Sequence, residues 1–301
     1  MTTHIESVRD FKKIAKNPDG DFVLESDIVK EERDYSNRFV KFISRILPGS
    51  LFPISEFRGS FDGNGHSIVG YECPLFEENN GVIKNLHLED VTVEDRPDGY
   101  LEKCNAGCIA NTNEGEIIGC SIEELSMEID GTVSGGITSD NYGLVKDCHV
   151  SGEIECINRV GGICGQNYGE VKGCHFEGNI KHSSSSGVGG IVGYNKGSVN
   201  ECDVKFSILA QALEINARAR AGGLIGYNKG RLENSYVFSN KLYVFKAHSN
   251  IGAISGKNIG IIRNCYHDDN MVPIGHDEGE SDVNEIDDIS NIENKILVGK
   301  I

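Results

Sequence analysis

The sequence predicts an all-β chain wound as a right-handed parallel β-helix, a solenoid of about seven to nine coils with a short N-terminal capping helix. Three observations point there: a repeat that returns every 26 to 34 residues, columns of one residue type at fixed offsets within it, and 37 glycines against 6 prolines with no tryptophan. Many glycines and few prolines fit short strands joined by tight turns better than long helices.

The repeat is aligned on Gly81, Gly115, Gly143, Gly169, Gly197, Gly230 and Gly260. Two residues before each stands an asparagine: Asn79, Asn113, Asn141, Asn167, Asn195, Asn228 and Asn258. Asparagine tolerates left-handed backbone and bonds neighbouring peptide groups, so this column reads as an amide ladder holding a bend. Six residues before the glycine lie Leu75, Ile109, Ile137, Ile163, Ile191, Leu224 and Ile254. Two after it lie Ile83, Ile117, Val145, Val171, Val199, Leu232 and Ile262. Both are core columns. Gly-Gly pairs at 135–136, 161–162, 189–190 and 222–223 mark close turns before the first of them.

Five residues after the aligning glycine come Leu86, Cys120, Cys148, Cys174, Cys202, Ser235 and Cys265, and two further on an apolar series broken only by His267. Strand alternation puts both on one face, so these cysteines point inward as reduced, packed thiols rather than disulfides. Such strands cannot pair within a coil. They pair with their equivalents above and below, through about three short strands per turn.

Residues 1–20 read as an N-terminal cap, with Ser7 as N-cap of a short helix over 7–16 in which Val8, Phe11, Ile14 and Ala15 recur at helical apolar spacing. Residues 21–270 are the solenoid. Residues 271–301 read as an acidic cap or tail, solvated or loosely ordered, with calcium binding as the alternative. Within it Ile286, Ile289, Ile292 and Ile296 recur at helical spacing.

Gly-Gly-Ile-Val-Gly-Tyr-Asn-Lys-Gly at 189–197 and Gly-Gly-Leu-Ile-Gly-Tyr-Asn-Lys-Gly at 222–230 resemble GLUG repeats. Upstream, Phe22-Val-Leu-Glu-Ser-Asp-Ile and Phe57-Arg-Gly-Ser-Phe-Asp-Gly-Asn-Gly-His-Ser-Ile are similar to that family's usual first coil, so the resemblance spans roughly residues 20–270. It implies a structural repeat found in prokaryotic surface and adhesin-like proteins, and it assigns no catalytic residue.

A net charge of −17 disfavours nucleic acid and anionic lipid surfaces as partners. No segment approaches the roughly 18 apolar residues of a membrane span, and the N-terminus has no apolar signal region. A cytoplasmic location, or release by a non-Sec route, is the corresponding expectation.

Several residues invite chemistry. The outward column six after the glycine holds His87, Ser121, His149, His175, Asp203, Tyr236 and Tyr266. His149, His175 and Asp203 on successive coils form a candidate metal site, against the plainer reading of an exposed polar column. Cys104 and Cys108 have a zinc-like spacing without a second ligand pair. Phe61 to His66 is glycine-rich but lacks the lysine of a phosphate loop. Glu89 and Glu123 could serve as a carboxylate pair for a polysaccharide-acting enzyme, a glycoside hydrolase or lyase. Excursions at 90–105, 205–220 and 237–250 lengthen their coils, and 207–217 is apolar for a loop. The leading expectation is a non-enzymatic interaction protein, without cofactor, that presents lateral loops to a protein or glycan, with oligomerisation open.

Overall fold

A computed structural model of the chain describes residues 1–29, 53–70, 74–94, 105–130, 133–182, 186–211, 219–245, 250–267 and 272–285. It is a parallel β-helix. One coil shows the plan: strands Arg159–Gly161, Cys164–Asn167, Glu170–Lys172 and His175–His182. The coil therefore has four strands, not three. The first joins a six-stranded sheet, the second a nine-stranded sheet, and the last two a twenty-stranded sheet. Pairing is parallel and in register, so that Asn141, Asn167 and Asn195 align on successive coils.

The fourth strand arises from a bend the repeat encodes. Four residues after the aligning glycine stand Asn85, Gly119, Asp147, Gly173, Glu201, Asn234 and Asn264, and all seven have φ between 50° and 61°. Left-handed backbone at this point divides what would be one long strand into two and turns the following cysteine inward. The ladder asparagines do not show this conformation; it belongs to the column six residues beyond the one expected to bend. Glycine, asparagine and aspartate suit such a site, and Glu201 is the misfit. Glu201→Asn should raise stability by ~0.5–1 kcal/mol, read as a higher urea midpoint; an unchanged or lower midpoint would show that the bend carries no strain.

The aligning glycine is required by close approach. A Cβ on Gly115, Gly143, Gly169 or Gly197 would sit 2.0–2.1 Å from the carbonyl oxygen of the aligning glycine one coil before it. The column also extends beyond the seven copies, to Gly20 and Gly59 before them and Gly279 after them.

The asparagines form the predicted ladder, fully buried and directional. Each Nδ2 donates to Oδ1 of the next, from Asn79 to Asn113 at 2.7 Å through to Asn228 and Asn258 at 2.9 Å. Each amide also donates to a carbonyl of its own turn and one of the next coil, as Asn167 does to Gly169 and Ser198. The last acceptor is the Asp277 carboxylate, 2.9 Å from Asn258 Nδ2. An acceptor without a donor is suited to that final position alone.

Both aliphatic columns are buried, as are Cys120, Cys148, Cys174, Cys202 and Cys265. Each of these thiols donates to the carbonyl two residues earlier, at 3.2–3.5 Å. Burial pushes the Cys265 thiol up to about 12 and Cys156 up to about 11, which keeps them protonated and unreactive. All eight cysteines among the described residues are free.

At the N-terminal end a 3-10 turn, Val8–Asp10, leads into the helix Phe11–Lys16, whose Phe11 and Ile14 enter the core. Ser7 caps no backbone group; its hydroxyl donates to the Asp10 carboxylate at 2.8 Å. A strand, Thr3–Ile5, precedes the helix and pairs with Asp21–Leu24. At the other end the acidic segment departs from a loose tail. Ile274–Asp277 and Glu280–Glu285 pair with Ser255–Asn258 and Ile261–His267 as a further coil. The isoleucines from 286 onward lie outside the described residues.

The excursions also begin as strands. Thr92–Glu94 pairs with Ser121–Ile129, and Asp203–Gln211 with Tyr236–Phe245. Residues 207–211 thus extend a sheet rather than form a loop. Residues 95–104, 212–218 and 246–249 lie outside the described residues.

Candidate functional site

Of the sequence-predicted sites, the histidine column is assembled in part. His149 and His175 are in register, their rings stacked 4.9 Å apart at 6°. His175 Nδ1 hydrogen-bonds the Asp203 carboxylate, and His87 Nδ1 lies 2.6 Å from Ser121 Oγ. Stacking sets the imidazole lone pairs in parallel planes, and Asp203 already engages one ring nitrogen. Among the described residues no group of three His, Cys, Asp or Glu could hold a metal ion. Cys104 lies outside the described residues, and Cys108 is wholly buried.

Burial first, and then the neighbouring His175, lower the His149 pKa below its ordinary value of 6.5. The native state binds that proton less readily than the unfolded chain does. The resulting stability is fully present above the unfolded value and is lost as pH falls through the depressed native one. Wild-type Tm should therefore fall more steeply between about pH 7 and about pH 5 than that of His149→Gln. Parallel curves would contradict this.

Glu89 and Glu123 stand in register on adjacent coils. Glu89 accepts from the Ser67 hydroxyl. The carboxyl that burial does raise is Asp140, and it is saturated: Asn105 Nδ2 donates to it at 2.6 Å, Gln166 Nε2 at 3.0 Å and Ser139 Oγ at 3.1 Å. It is an anchor for neighbours rather than a proton donor.

The neighbours it anchors belong to a surface that sequence reasoning missed, on the nine-stranded sheet. One outward column precedes the ladder asparagines. It runs from Glu56 and Glu78 through Thr112, Asp140 and Gln166 to Tyr194, Tyr227 and Lys257. A second follows the asparagines and includes Tyr142, Tyr168, Lys196 and Lys229. Alternation about a buried asparagine turns both outward. The face is acidic at its N-terminal end and aromatic and basic further along.

Its geometry is closely interlocked. Tyr142, 53% exposed, stacks on Tyr168 at 4.9 Å and 5°. Tyr168, Tyr194 and Tyr227 then meet edge to face at 6.4 and 5.5 Å. Arg159 lies 4.9 Å over the Tyr194 ring and Arg220 4.8 Å over Tyr227. The Lys196 ammonium sits 5.4 Å from the Tyr168 ring centre and Lys229 5.0 Å from that of Tyr227. Arg159 Nη1 donates to Gln166 Oε1 at 2.6 Å, and the Tyr168 hydroxyl donates to the same oxygen at 3.1 Å. This ties both to Asp140 through Gln166. The Tyr194 and Tyr227 phenols beside Lys229 hold its ammonium above the usual lysine value, so it stays charged.

The electrostatics of this face set it apart. On the twenty-stranded sheet basic side chains pair with carboxylates, as Lys84 does with Asp62, Lys172 with Glu201, Lys205 with Glu177 and Arg263 with Glu280, and at the far end of the face Lys257 pairs with Glu278. Among the described residues, Arg159, Lys196, Arg220 and Lys229 are in no ion pair, despite an excess of 46 acids over 29 bases. The signal was legible: tyrosine three residues before the aligning glycine in two copies and one before it in two others, with lysine at the latter place in two more.

The GLUG motif matches residues 158–181, the coil that carries Arg159, Gln166 and Tyr168. No curated protein matches the sequence. Among solved structures, a candidate immunoglobulin A1 protease from Bacteroides ovatus superimposes with a TM-score of 0.60 at 17% identity, over 99% of this chain and 87% of that one. An IgA1 protease gives a TM-score of 0.59 at 17% identity, over 93% of this chain and 21% of that one. At this identity the likeness is one of fold.

Proposed function

We propose, taking as premise a parallel β-helix that carries the GLUG motif, that the protein is a non-enzymatic interaction module whose tyrosine and cation face binds a partner. One observation carries this reading: among the described residues Arg159, Lys196, Arg220 and Lys229 are in no ion pair and gather over tyrosine rings where the six- and nine-stranded sheets of an acidic protein meet. Cations packed over aromatic rings keep their charge while losing mobility, so little rotamer entropy remains to be lost on binding. The in-register coils hold them at fixed intervals.

A hydrolytic reading draws on the names of the two structural relatives and on the hydrogen bond between His87 and Ser121. A serine nucleophile needs its histidine oriented by a third group. Among the described residues no carboxylate bonds the His87 ring, whose Nδ1 meets only the Ser121 hydroxyl.

The test combines binding with turnover. The purified chain is incubated with panels of polysaccharides and of proteins, immunoglobulin A1 included. Binding without new reducing ends, unsaturated sugars or new peptide termini is expected. Cleavage abolished by Ser121→Ala, or by Glu89→Gln with Glu123→Gln, would replace this reading with an enzymatic one.

A further inference from the structure

We infer that the ligand of this face is a carboxylate-bearing polysaccharide, a polymer of uronic or similarly acidic sugars; this inference rests on the reading of the face as a binding surface. Three features select the class.

The first is periodicity. Lys196 and Lys229 follow the ladder asparagines on adjacent coils, roughly 4.8 Å apart along the nine-stranded sheet, with Arg159 and Arg220 reaching over from the six-stranded sheet and Lys257, paired with Glu278, one coil further on. A regular row of charges on a flat face suits a linear polymer that carries its own charges at intervals. A compact anion would need donors that converge on one point.

The second is the division of labour along the row. At one end Tyr142 offers a half-exposed ring, fixed by its stack on Tyr168, on which the C–H face of a sugar can lie. At the other, Lys196 and Lys229 are exposed above tyrosine rings and present ammonium donors to carboxylates. A sugar ring bearing a carboxylate uses both.

The third feature separates this class from nucleic acid. Single-strand binders stack bases on open aromatic faces. Here Tyr168, Tyr194 and Tyr227 meet edge to face, and Arg159, Lys196, Arg220 and Lys229 already lie over their rings.

The experiment is calorimetric titration of the full chain with a galacturonic acid hexamer. A neutral galactose hexamer, poly-glutamate and poly-uridylate are run beside it, and products are analysed. The uronate hexamer should bind and the other three should not, with affinity falling as salt rises. Lys196→Gln with Lys229→Gln should weaken binding about tenfold or more, because two charge-assisted contacts are lost. Lys205→Gln, on another sheet, should leave it unchanged. Wild-type circular dichroism of all variants excludes misfolding, and Tyr142→Ala provides an independent weakening.

Binding of poly-glutamate or poly-uridylate instead of the uronate would overturn the ligand class and leave the interaction reading standing. Failure of all four would overturn the inference and reduce the face to a clamp between coils. Cleavage of a bound hexamer would overturn the non-enzymatic reading while keeping the ligand class.

Discussion

Gly169→Ala should destabilise the protein by at least about 3 kcal/mol. The added Cβ would lie 2.1 Å from the Gly143 carbonyl oxygen and 2.6 Å from the carbonyl carbon of Tyr142. Neither is the end of a flexible side chain. The Gly143 oxygen accepts from Glu170 N at 2.9 Å, and Gly169 N donates to Asn141 O at 3.1 Å. Relief by backbone movement would break the ladder between two coils. Gly65→Ala is the informative comparison: its φ is +76°, but a Cβ there meets nothing within 4 Å. It should cost only ~1 kcal/mol, the strain of a left-handed alanine. Urea denaturation of both variants checks this, and equal costs would show that coil spacing is not set by the glycine column.

Asn167→Asp should cost about 3–5 kcal/mol at neutral pH. Asn167 Nδ2 donates to Asn195 Oδ1 at 2.9 Å and to the Gly169 and Ser198 carbonyls, while its Oδ1 accepts from Asn141 at 2.8 Å. A carboxylate keeps the acceptor and removes the donor. It would set two oxygens against each other in a wholly buried site and orphan two carbonyls. Protonation restores one donor, so the folded-state pKa of the new group must rise. The sign follows: stability is retained below the unfolded pKa of a carboxylate and lost as pH rises through the folded one. The variant should thus be closest to wild type in acid, opposite to the trend expected from His149. Asp277→Asn, at the end of the ladder where an acceptor suffices, should be nearly neutral.

The framework was legible because a solenoid repeats each physical demand at a fixed offset. Seven asparagines, seven aliphatics on either side and five cysteines are one set of contacts written seven times, and the structure places each where alternation required. The left-handed column was equally regular, at Asn85, Gly119, Asp147, Gly173, Glu201, Asn234 and Asn264. It was hidden because two glycines and a glutamate interrupt its asparagines and aspartate, and its omission cost one strand per coil. The strands in the acidic end were not legible for another reason. Charge on an outward strand face is compatible with pairing through the backbone, so Glu280–Glu285 continues the sheet despite its composition.

The site was less legible because its members sit at different offsets. Tyr194 and Tyr227 precede the buried asparagine, Tyr142 and Tyr168 follow it, and the arginines come from another sheet. Only the coil geometry brings these together. The histidines, by contrast, shared one offset and drew attention, yet their stacked rings and the bond to Asp203 make them a polar column of the kind an exposed strand accommodates.

Lysine-acetylation and tyrosine-oxidation footprinting, with and without the galacturonic acid hexamer, tests the central claim most directly. The binding-face account predicts protection of Tyr142, Lys196, Lys229 and Lys257, with no change at Lys172 or Lys205 on the twenty-stranded sheet. Unchanged labelling of the tyrosine and lysine face, or protection confined to the other sheet, would contradict it.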